Sequence, residues 1–227
     1  FAAESLKESG RKTTWAIINI FSFVILQSFV AFDWVMSLEY PWMSTLLGGY
    51  FFVEALYMAL ATSGIFLFLI YLKRGKQQEQ FKPYHSVLKD IGTMLFGFSI
   101  LWAGLFFAQF LTIWYANIPE EVSFFLRRFS VDSTLWMARA VVPLMLVVPF
   151  LVLLTAKPKR SPVAVFVVSV SVYLGFFVER LFFLTPLIPI HPVLLIIEFA
   201  CLVVIFRFLA IRHLHQSAVS SGNPIRG

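Results

Sequence analysis

Long apolar runs alternate with short polar connections along the chain. A helix needs about 20 residues to cross a hydrocarbon core of roughly 30 Å. Six runs reach that length: residues 15–36, 43–72, 91–115, 135–155, 163–185 and 193–211. The pattern predicts an all-α integral membrane protein with about six transmembrane helices in helical bundles. Its predicted parts are a segment 1–14, a transmembrane domain 15–211 and a tail 212–227.

The polar connections alternate in charge. Lysine and arginine are concentrated in the leading segment, the second connection, the fourth connection and the tail. The first connection, around Asp33 and Glu39, has none, and the third holds three acids, with Arg127 and Arg128 as its only basic residues. Short connections rich in basic residues stay in the cytoplasm. Both termini are therefore predicted to be cytoplasmic, and the stretch 73–90 is expected to be a mobile inner loop.

Composition agrees with a membrane location, since 59% of the residues are hydrophobic, 13% are charged and the mean hydropathy is +0.84. The net charge of +6 lies in the inner connections, which favours lipid headgroups over nucleic acid as the anionic neighbour.

Cys201 is the single cysteine, so the chain can form no internal disulfide and no cysteine-ligated iron–sulfur cluster. We expect no redox centre on this chain. The start at Phe1, without an initiating methionine, suggests a longer protein.

Ionisable residues inside the predicted spans are the main candidates for function, because a buried charge costs several kcal/mol and usually faces a bundle interior. Glu54 is expected near mid-depth, with no partner of opposite charge. Arg139, Glu179, Arg180 and Glu198 are expected in one outer layer. Two interpretations stay open for that layer: a structural ion pair of Arg139 with Glu179 or Glu198, and a proton route.

The depths of these acids suggest a ladder for protons. Asp90 would mark its inner mouth, Glu54 its middle and Glu179 and Glu198 its outer half, with Arg139 tuning the outer acids. Hydroxyl groups and ordered water would bridge the longest gap; the candidates are Thr62, Ser63, Ser169 and Tyr173.

Two outer segments have the composition of docking surfaces for an extracytoplasmic partner. The first reads FDWVMSLEYPWMST from Phe32, and the second reads QFLTIWYANIPEE from Gln109. In each segment a span ends in aromatic residues and is followed by acids and a proline, and Asn117 with Pro119 predicts a turn. The predicted docking residues are Asp33, Glu39, Trp42, Trp114, Tyr115, Asn117, Glu120 and Glu121.

The same two strings, together with KDIGTMLFGFSILW from Lys89, resemble an NrfD-type (polysulfide-reductase-type) membrane subunit of alternative complex III, a bacterial quinol:cytochrome c oxidoreductase. The resemblance runs over about residues 13–208, and FVERLFFLTP from Phe177 is similar to a weaker pattern of the family. Many members have a histidine where this chain has Pro41, so a role of that histidine is lost here.

The resemblance implies the C-terminal part of a non-haem membrane subunit in the bacterial cytoplasmic membrane. Partner subunits would carry haem c and iron–sulfur clusters, in respiratory or photosynthetic electron transport. Menaquinone or another quinone is the implied substrate of the complex, although binding of quinone by this part of the chain is left open. A role in proton translocation would accompany quinol oxidation.

Two other classes fit the residues. Half of a secondary transporter would use Glu54 and the outer layer as an ion or substrate site between repeats, but no inverted repeat is visible. A purely structural membrane anchor would need none of these residues for chemistry. Haem-bearing subunits that copurify with the chain would favour the oxidoreductase.

Overall fold

A computed structural model describes residues 2–74, 82–185 and 201 of the chain. The sixth apolar run, Glu198 and the tail 212–227 lie outside the described residues, apart from Cys201. Within the described part the secondary structure is helical, with no strand. The α-helices are α1 (Ala2–Phe29), α2 (Leu47–Arg74), α3 (Lys82–Ala116), α4 (Pro119–Phe129), α5 (Asp132–Val142), α6 (Val148–Leu153) and α7 (Pro162–Leu184).

Shorter turns extend or join these helices. Helix α1 continues through a π-helical turn (Val30–Val35) into a 3-10 turn (Met36–Glu39), and a π-helical turn (Pro143–Val147) joins α5 to α6. A 3-10 turn (Pro158–Arg160) precedes α7.

Five helical segments among the described residues are long and apolar enough to cross a membrane. They are Arg11–Glu39, Leu47–Lys73, Tyr84–Ala116, Thr134–Leu153 and Pro162–Leu184. The prediction of a helical, multi-pass membrane protein is confirmed at this level, and five of the six predicted runs correspond to these segments.

Two connections differ from the sequence prediction. The stretch 73–90 is not one long loop, because α2 continues to Arg74 and α3 already begins at Lys82. The third connection contains α4, which has Pro119 in its first turn, Glu120 and Glu121 beside its N-terminus and two arginines in its last turn. Such a charge distribution complements the helix dipole and favours a helix over a loop.

The spans alternate in direction, so α2 and α5 begin at the end of the bundle where the first span, α3 and α7 finish. We call this the α4 end. Helix α2 lies at the centre and packs against α7 and α3, whereas α1 packs chiefly against α2. Apolar side chains of α1 such as Phe21 and Leu26 are more than 60% exposed, as expected for side chains that face lipid.

The π-helical turn between α5 and α6 leaves two carbonyl groups outside the regular helical ladder. Pro149 has no N–H to donate to the carbonyl oxygen of Met145, four residues earlier. The hydroxyl of Tyr57 in α2 donates to that oxygen at 3.0 Å, and the hydroxyl of Ser171 in α7 donates to the carbonyl oxygen of Leu144 at 2.8 Å. Neighbouring helices thus satisfy the buried backbone at this turn.

Gly175 of α7 packs directly against this turn. A Cβ atom at Gly175 would lie 2.4 Å from Cγ of Met145 and 3.0 Å from Cβ of Leu144. We expect Gly175→Ala to destabilise the protein by about 1–3 kcal/mol, because overpacking exceeds the gain in helix propensity. Unfolding in mixed detergent micelles measures the change. Gly97→Ala is the matched control, since no atom lies within 4 Å of a Cβ there, and a loss of the same size in both variants would contradict the packing argument.

Candidate functional site

A buried ion pair joins α2 and α7 near the α4 end. Nη2 of Arg180 contacts Oε2 of Glu54; the Glu54 side chain is fully buried and that of Arg180 is 24% exposed. The guanidinium lies over the rings of Phe51 and Phe176, with its carbon 4.1 and 4.3 Å from the ring centroids. These aromatic faces attract the cation.

A second buried carboxyl lies beside this pair. Glu179 precedes Arg180 in α7, and its Oε1 accepts a hydrogen bond from the hydroxyl of Tyr50 in α2. The carboxyl groups of Glu54 and Glu179 are close enough to interact directly. We call Tyr50, Glu54, Glu179 and Arg180 the carboxyl cluster.

Three polar atoms of the carboxyl cluster are buried without a hydrogen-bond partner: Oε1 of Glu54, Oε2 of Glu179 and Nη1 of Arg180. Buried polar atoms are nearly always paired, so unpaired ones at one place require an explanation. A proton held between the two carboxyl groups would pair their free oxygens, and it would also balance the charge of two carboxyl groups against one guanidinium.

The cluster corrects three expectations from the sequence. Glu54 has a partner of opposite charge, Arg180. Glu54 is not a separate middle step of a ladder, because it interacts directly with Glu179. Arg139 is exposed and forms no ion pair with Glu179; its guanidinium carbon instead lies 5.3 Å from the ring centroid of Trp136.

Asp90 is far from the carboxyl cluster. It is exposed in α3, 26 residues before that helix ends at the α4 end, which corresponds to about 39 Å at 1.5 Å per residue. Between the two positions, the hydroxyls of Thr62 and Tyr173 contact each other across α2 and α7. Ser63 and Ser169 donate to carbonyl oxygens of their own helices. Glu198 lies outside the described residues.

A second buried ion pair fixes α4 at its end of the bundle. Nη1 of Arg128 lies 2.6 Å from Oε2 of Glu39, and both side chains are at most 4% exposed. Arg128 also donates to the carbonyl oxygens of Phe182 and Phe183, at 2.9 and 2.7 Å. Carbonyls in the last turn of a helix lack intrahelical partners, so Arg128 caps α7 while pairing with the end of the first span.

The surroundings of Arg128 stabilise the positive charge of its guanidinium although the side chain is buried. Burial lowers the pKa of Arg128, and the carboxylate of Glu39 opposes this shift. The ring of Phe124, with its centroid 3.6 Å from the guanidinium carbon, adds a cation–π contact. A guanidinium holds its proton far more strongly than other basic side chains, so Arg128 keeps its charge beside Glu39. Sequence reasoning missed this residue; its one signal was the spacing of Phe124 and Arg128, four residues apart in α4.

The predicted docking residues divide into two groups. Glu39 and Trp42 are buried in this chain: Glu39 pairs with Arg128, and the Trp42 ring stacks on Phe124 with centroids 4.2 Å apart. For these two side chains the docking interpretation is replaced by packing within the fold. Of the remaining docking residues, Glu121 is partly buried and five are exposed, namely Asp33, Trp114, Tyr115, Asn117 and Glu120.

The predicted turn between α3 and α4 is confirmed at Asn117. This residue has φ of 49°, and its N–H donates to the carbonyl oxygen of Ile113 at 3.1 Å. A residue in the left-handed region after the last turn is a common helix end, and asparagine tolerates that conformation. Trp114 and Tyr115, in the last turn of α3 just before Asn117, are 68% and 86% exposed.

A cavity of about 330 Å³ lies between α4 and the carboxyl cluster. Its walls come from the first turns of α2, the last turns of α3 and α7, and parts of α4 and α5, and most are aromatic or aliphatic. The polar exceptions include Gln109, Arg139 and Glu179. Glu179 therefore belongs both to the carboxyl cluster and to this cavity.

Comparisons with known proteins give no identification. No protein-family model and no curated protein sequence matches the chain. Within residues 2–74 and 82–185, no group of three or more histidine, cysteine, aspartate or glutamate side chains could hold a metal ion. Function must therefore be argued from the carboxyl cluster, the cavity and the exposed α4 end.

Proposed function

We propose that this chain is a membrane subunit of a bacterial quinol:cytochrome c oxidoreductase of the alternative complex III type, and that its carboxyl cluster carries a proton during turnover. The observation that carries the proposal is the pair of buried carboxyl groups, Glu54 and Glu179, facing one guanidinium with two free oxygens between them. The resemblance of FDWVMSLEYPWMST and QFLTIWYANIPEE to NrfD-type subunits supports the assignment to this type of complex.

Chemically, the cluster suits a group that accepts and releases one proton. With one proton present, the two carboxyl groups and Arg180 are neutral as a set, which is the least costly state away from water. Tyr50 holds one oxygen of Glu179 and so orients that carboxyl towards Glu54. Redox chemistry is assigned to partner subunits with haem c and iron–sulfur clusters, and menaquinol or another quinol is the proposed electron donor.

The exposed residues at the α4 end are the proposed contact with extracytoplasmic subunits. Trp114, Tyr115 and Glu120 come from two adjacent elements and lie on the side that the charge rule assigns to the cell exterior. Exposed aromatic side chains are enriched in protein interfaces, although they also occur at the edge of a membrane.

Charge reversal distinguishes these two roles. Purification through a tag on this chain should bring down subunits with a c-type haem spectrum. Glu120→Lys with Glu121→Lys should reduce the recovered haem at least tenfold, since like charges at an interface cost several kcal/mol and a factor of ten corresponds to about 1.4 kcal/mol. Glu4→Lys is the control, because it lies in α1 far along the sequence from α4.

Absence of haem-bearing partners from the wild-type preparation would contradict the proposed complex. Full recovery of haem with both α4 acids reversed would contradict only the proposed interface. A secondary transporter remains the second candidate, favoured by the buried cluster alone, and it predicts ion-coupled uptake into vesicles that contain this chain without partners.

A further inference from the structure

The cavity opens to the side of the bundle. Three of its lining residues are exposed, and they come from three different elements: Phe110 of α3, Phe129 of α4 and Arg139 of α5. Other lining residues, such as Trp42, Phe124 and Glu179, are buried. The cavity therefore extends from the apolar surface around α3 and α5 to the buried interior.

The walls select an apolar occupant. Apart from Gln109, Tyr50 and the two charged residues, the lining is aromatic and aliphatic. Cavities of such composition stay dry and admit apolar molecules. The volume of about 330 Å³ lies in the range of small-ligand sites.

The exposed part of the cavity lining carries a positive charge, which favours an anionic group there. Arg139 is exposed, and in the described part of the chain no carboxylate pairs with it; its guanidinium carbon lies 5.3 Å from the ring centroid of Trp136, one turn closer to the α4 end. An arginine placed in a span directs its charge towards the membrane surface. Its guanidinium matches phosphate oxygens in geometry and charge.

An apolar cavity with exposed lining residues, whose arginine has no carboxylate partner among the described residues, matches one class of molecule. We infer that the cavity binds an anionic phospholipid, with one acyl chain between α3, α4, α5 and α7 and the headgroup phosphate on Arg139. The exposed Trp136 lies near the same end, where indole rings occupy the headgroup zone. The acyl chain would lie against the apolar surface beside Glu179.

Lipid retention by the purified full chain tests this inference. The protein is delipidated in mild detergent and incubated with phosphatidylglycerol or with phosphatidylcholine of the same acyl chains, and the bound lipid is counted by native mass spectrometry. We expect preferential retention of phosphatidylglycerol. Arg139→Gln should weaken that retention about tenfold, the effect of losing one charge-assisted contact.

Two further variants separate the headgroup from the acyl chain. Ala138→Phe places a ring in the cavity and should reduce the retention of both lipids; Leu135→Trp does the same from the adjacent turn of α5 if the first variant misfolds. Arg160→Gln is the matched control, since Arg160 is an exposed arginine away from the cavity.

Three outcomes would overturn the inference. Equal retention of the two lipids by the wild type would remove the anion selectivity. Full competition by glycerol phosphate, which has no acyl chain, would indicate a surface phosphate site. Unchanged retention in both cavity-filling variants, with folding intact, would exclude the cavity.

Discussion

Replacing Arg128 with methionine is expected to lower the free energy of unfolding by about 3–5 kcal/mol, the cost of breaking a buried ion pair by removing one partner. The substitution keeps much of the apolar stem but removes the guanidinium. Glu39 would then be buried without its 2.6 Å partner, and two carbonyl oxygens in the last turn of α7 would lose their donors. Equilibrium unfolding in mixed detergent micelles measures the loss.

Arg127 provides a matched control next to it in sequence. It faces the same acid, Glu39, at 3.6 Å, but its side chain is 54% exposed. Exposed ion pairs contribute at most about 1 kcal/mol, so Arg127→Met should have a small effect. Arg128→Lys should give an intermediate loss, because an ammonium group cannot reproduce the planar set of donors that binds several acceptors at once.

A double variant tests the reason for the effect. If the cost of Arg128→Met arises from an uncompensated carboxylate, adding Glu39→Gln should recover part of the lost stability. Equal losses for Arg127→Met and Arg128→Met would contradict the assignment of the buried contacts. A double variant as unstable as the sum of its single variants would show that the two residues do not interact.

Replacing Glu54 with glutamine is expected to uncouple electron transfer from proton transfer by the complex. Glutamine keeps the size and hydrogen-bonding ability of the side chain but cannot carry the proton. In vesicles that contain the purified complex, quinol oxidation should continue while the proton-to-electron ratio falls to the value set by quinol oxidation alone. The ratio is measured from the acidification that follows a pulse of electron acceptor.

Glu179→Gln repeats the test in a variant that retains the ion pair of Glu54 with Arg180, so that a loss of folding does not obscure the result. Glu54→Gln also removes the anion that faces Arg180, so it is expected to destabilise the chain. Glu179→Gln leaves that ion pair in place and removes the second carboxyl, and it should lower the ratio in a complex of normal stability. Asp132→Asn, an exposed acid at the start of α5, is the control.

An unchanged ratio in both glutamine variants would assign Glu54 and Glu179 to packing and remove proton transfer from the proposal. Quinol oxidation lost in parallel with the ratio would point to a role in assembly. The lipid experiment is unaffected by either result, because it measures binding to this chain alone.

The length of the apolar runs was sufficient to predict five of the spans, since a bilayer imposes both length and composition on a helix. The same reasoning found Glu54, Glu179 and Arg180 as costly residues in spans. It could not pair them, because pairing depends on which helices are neighbours and on how each is rotated, and the pattern of apolar residues fixes neither. Glu54 was therefore left without a partner, and of the two partners suggested for Arg139, Glu179 does not pair with it and Glu198 lies outside the described residues.

Helix α4 shows a second limit. An amphipathic helix of 11 residues is too short to produce the signal of a span, and its acids and arginines suggested an exposed connection. The burial of Arg128 follows from acceptors that are remote in sequence: Glu39, at the end of the first span, and two carbonyls of α7. Trp42 was misjudged for the same reason, because its stacking partner Phe124 belongs to α4.

The contacts of Arg128 also have a consequence for biosynthesis. Glu39 leaves the ribosome first, Arg128 about ninety residues later and the acceptors at Phe182 and Phe183 more than fifty residues after that. Until α7 has been inserted, Arg128 can pair with Glu39, but the two carbonyls of α7 that it caps are not yet in place. The α4 end therefore closes only after the fifth span, α7, has been inserted, and a chain that ends before α7 would leave it open.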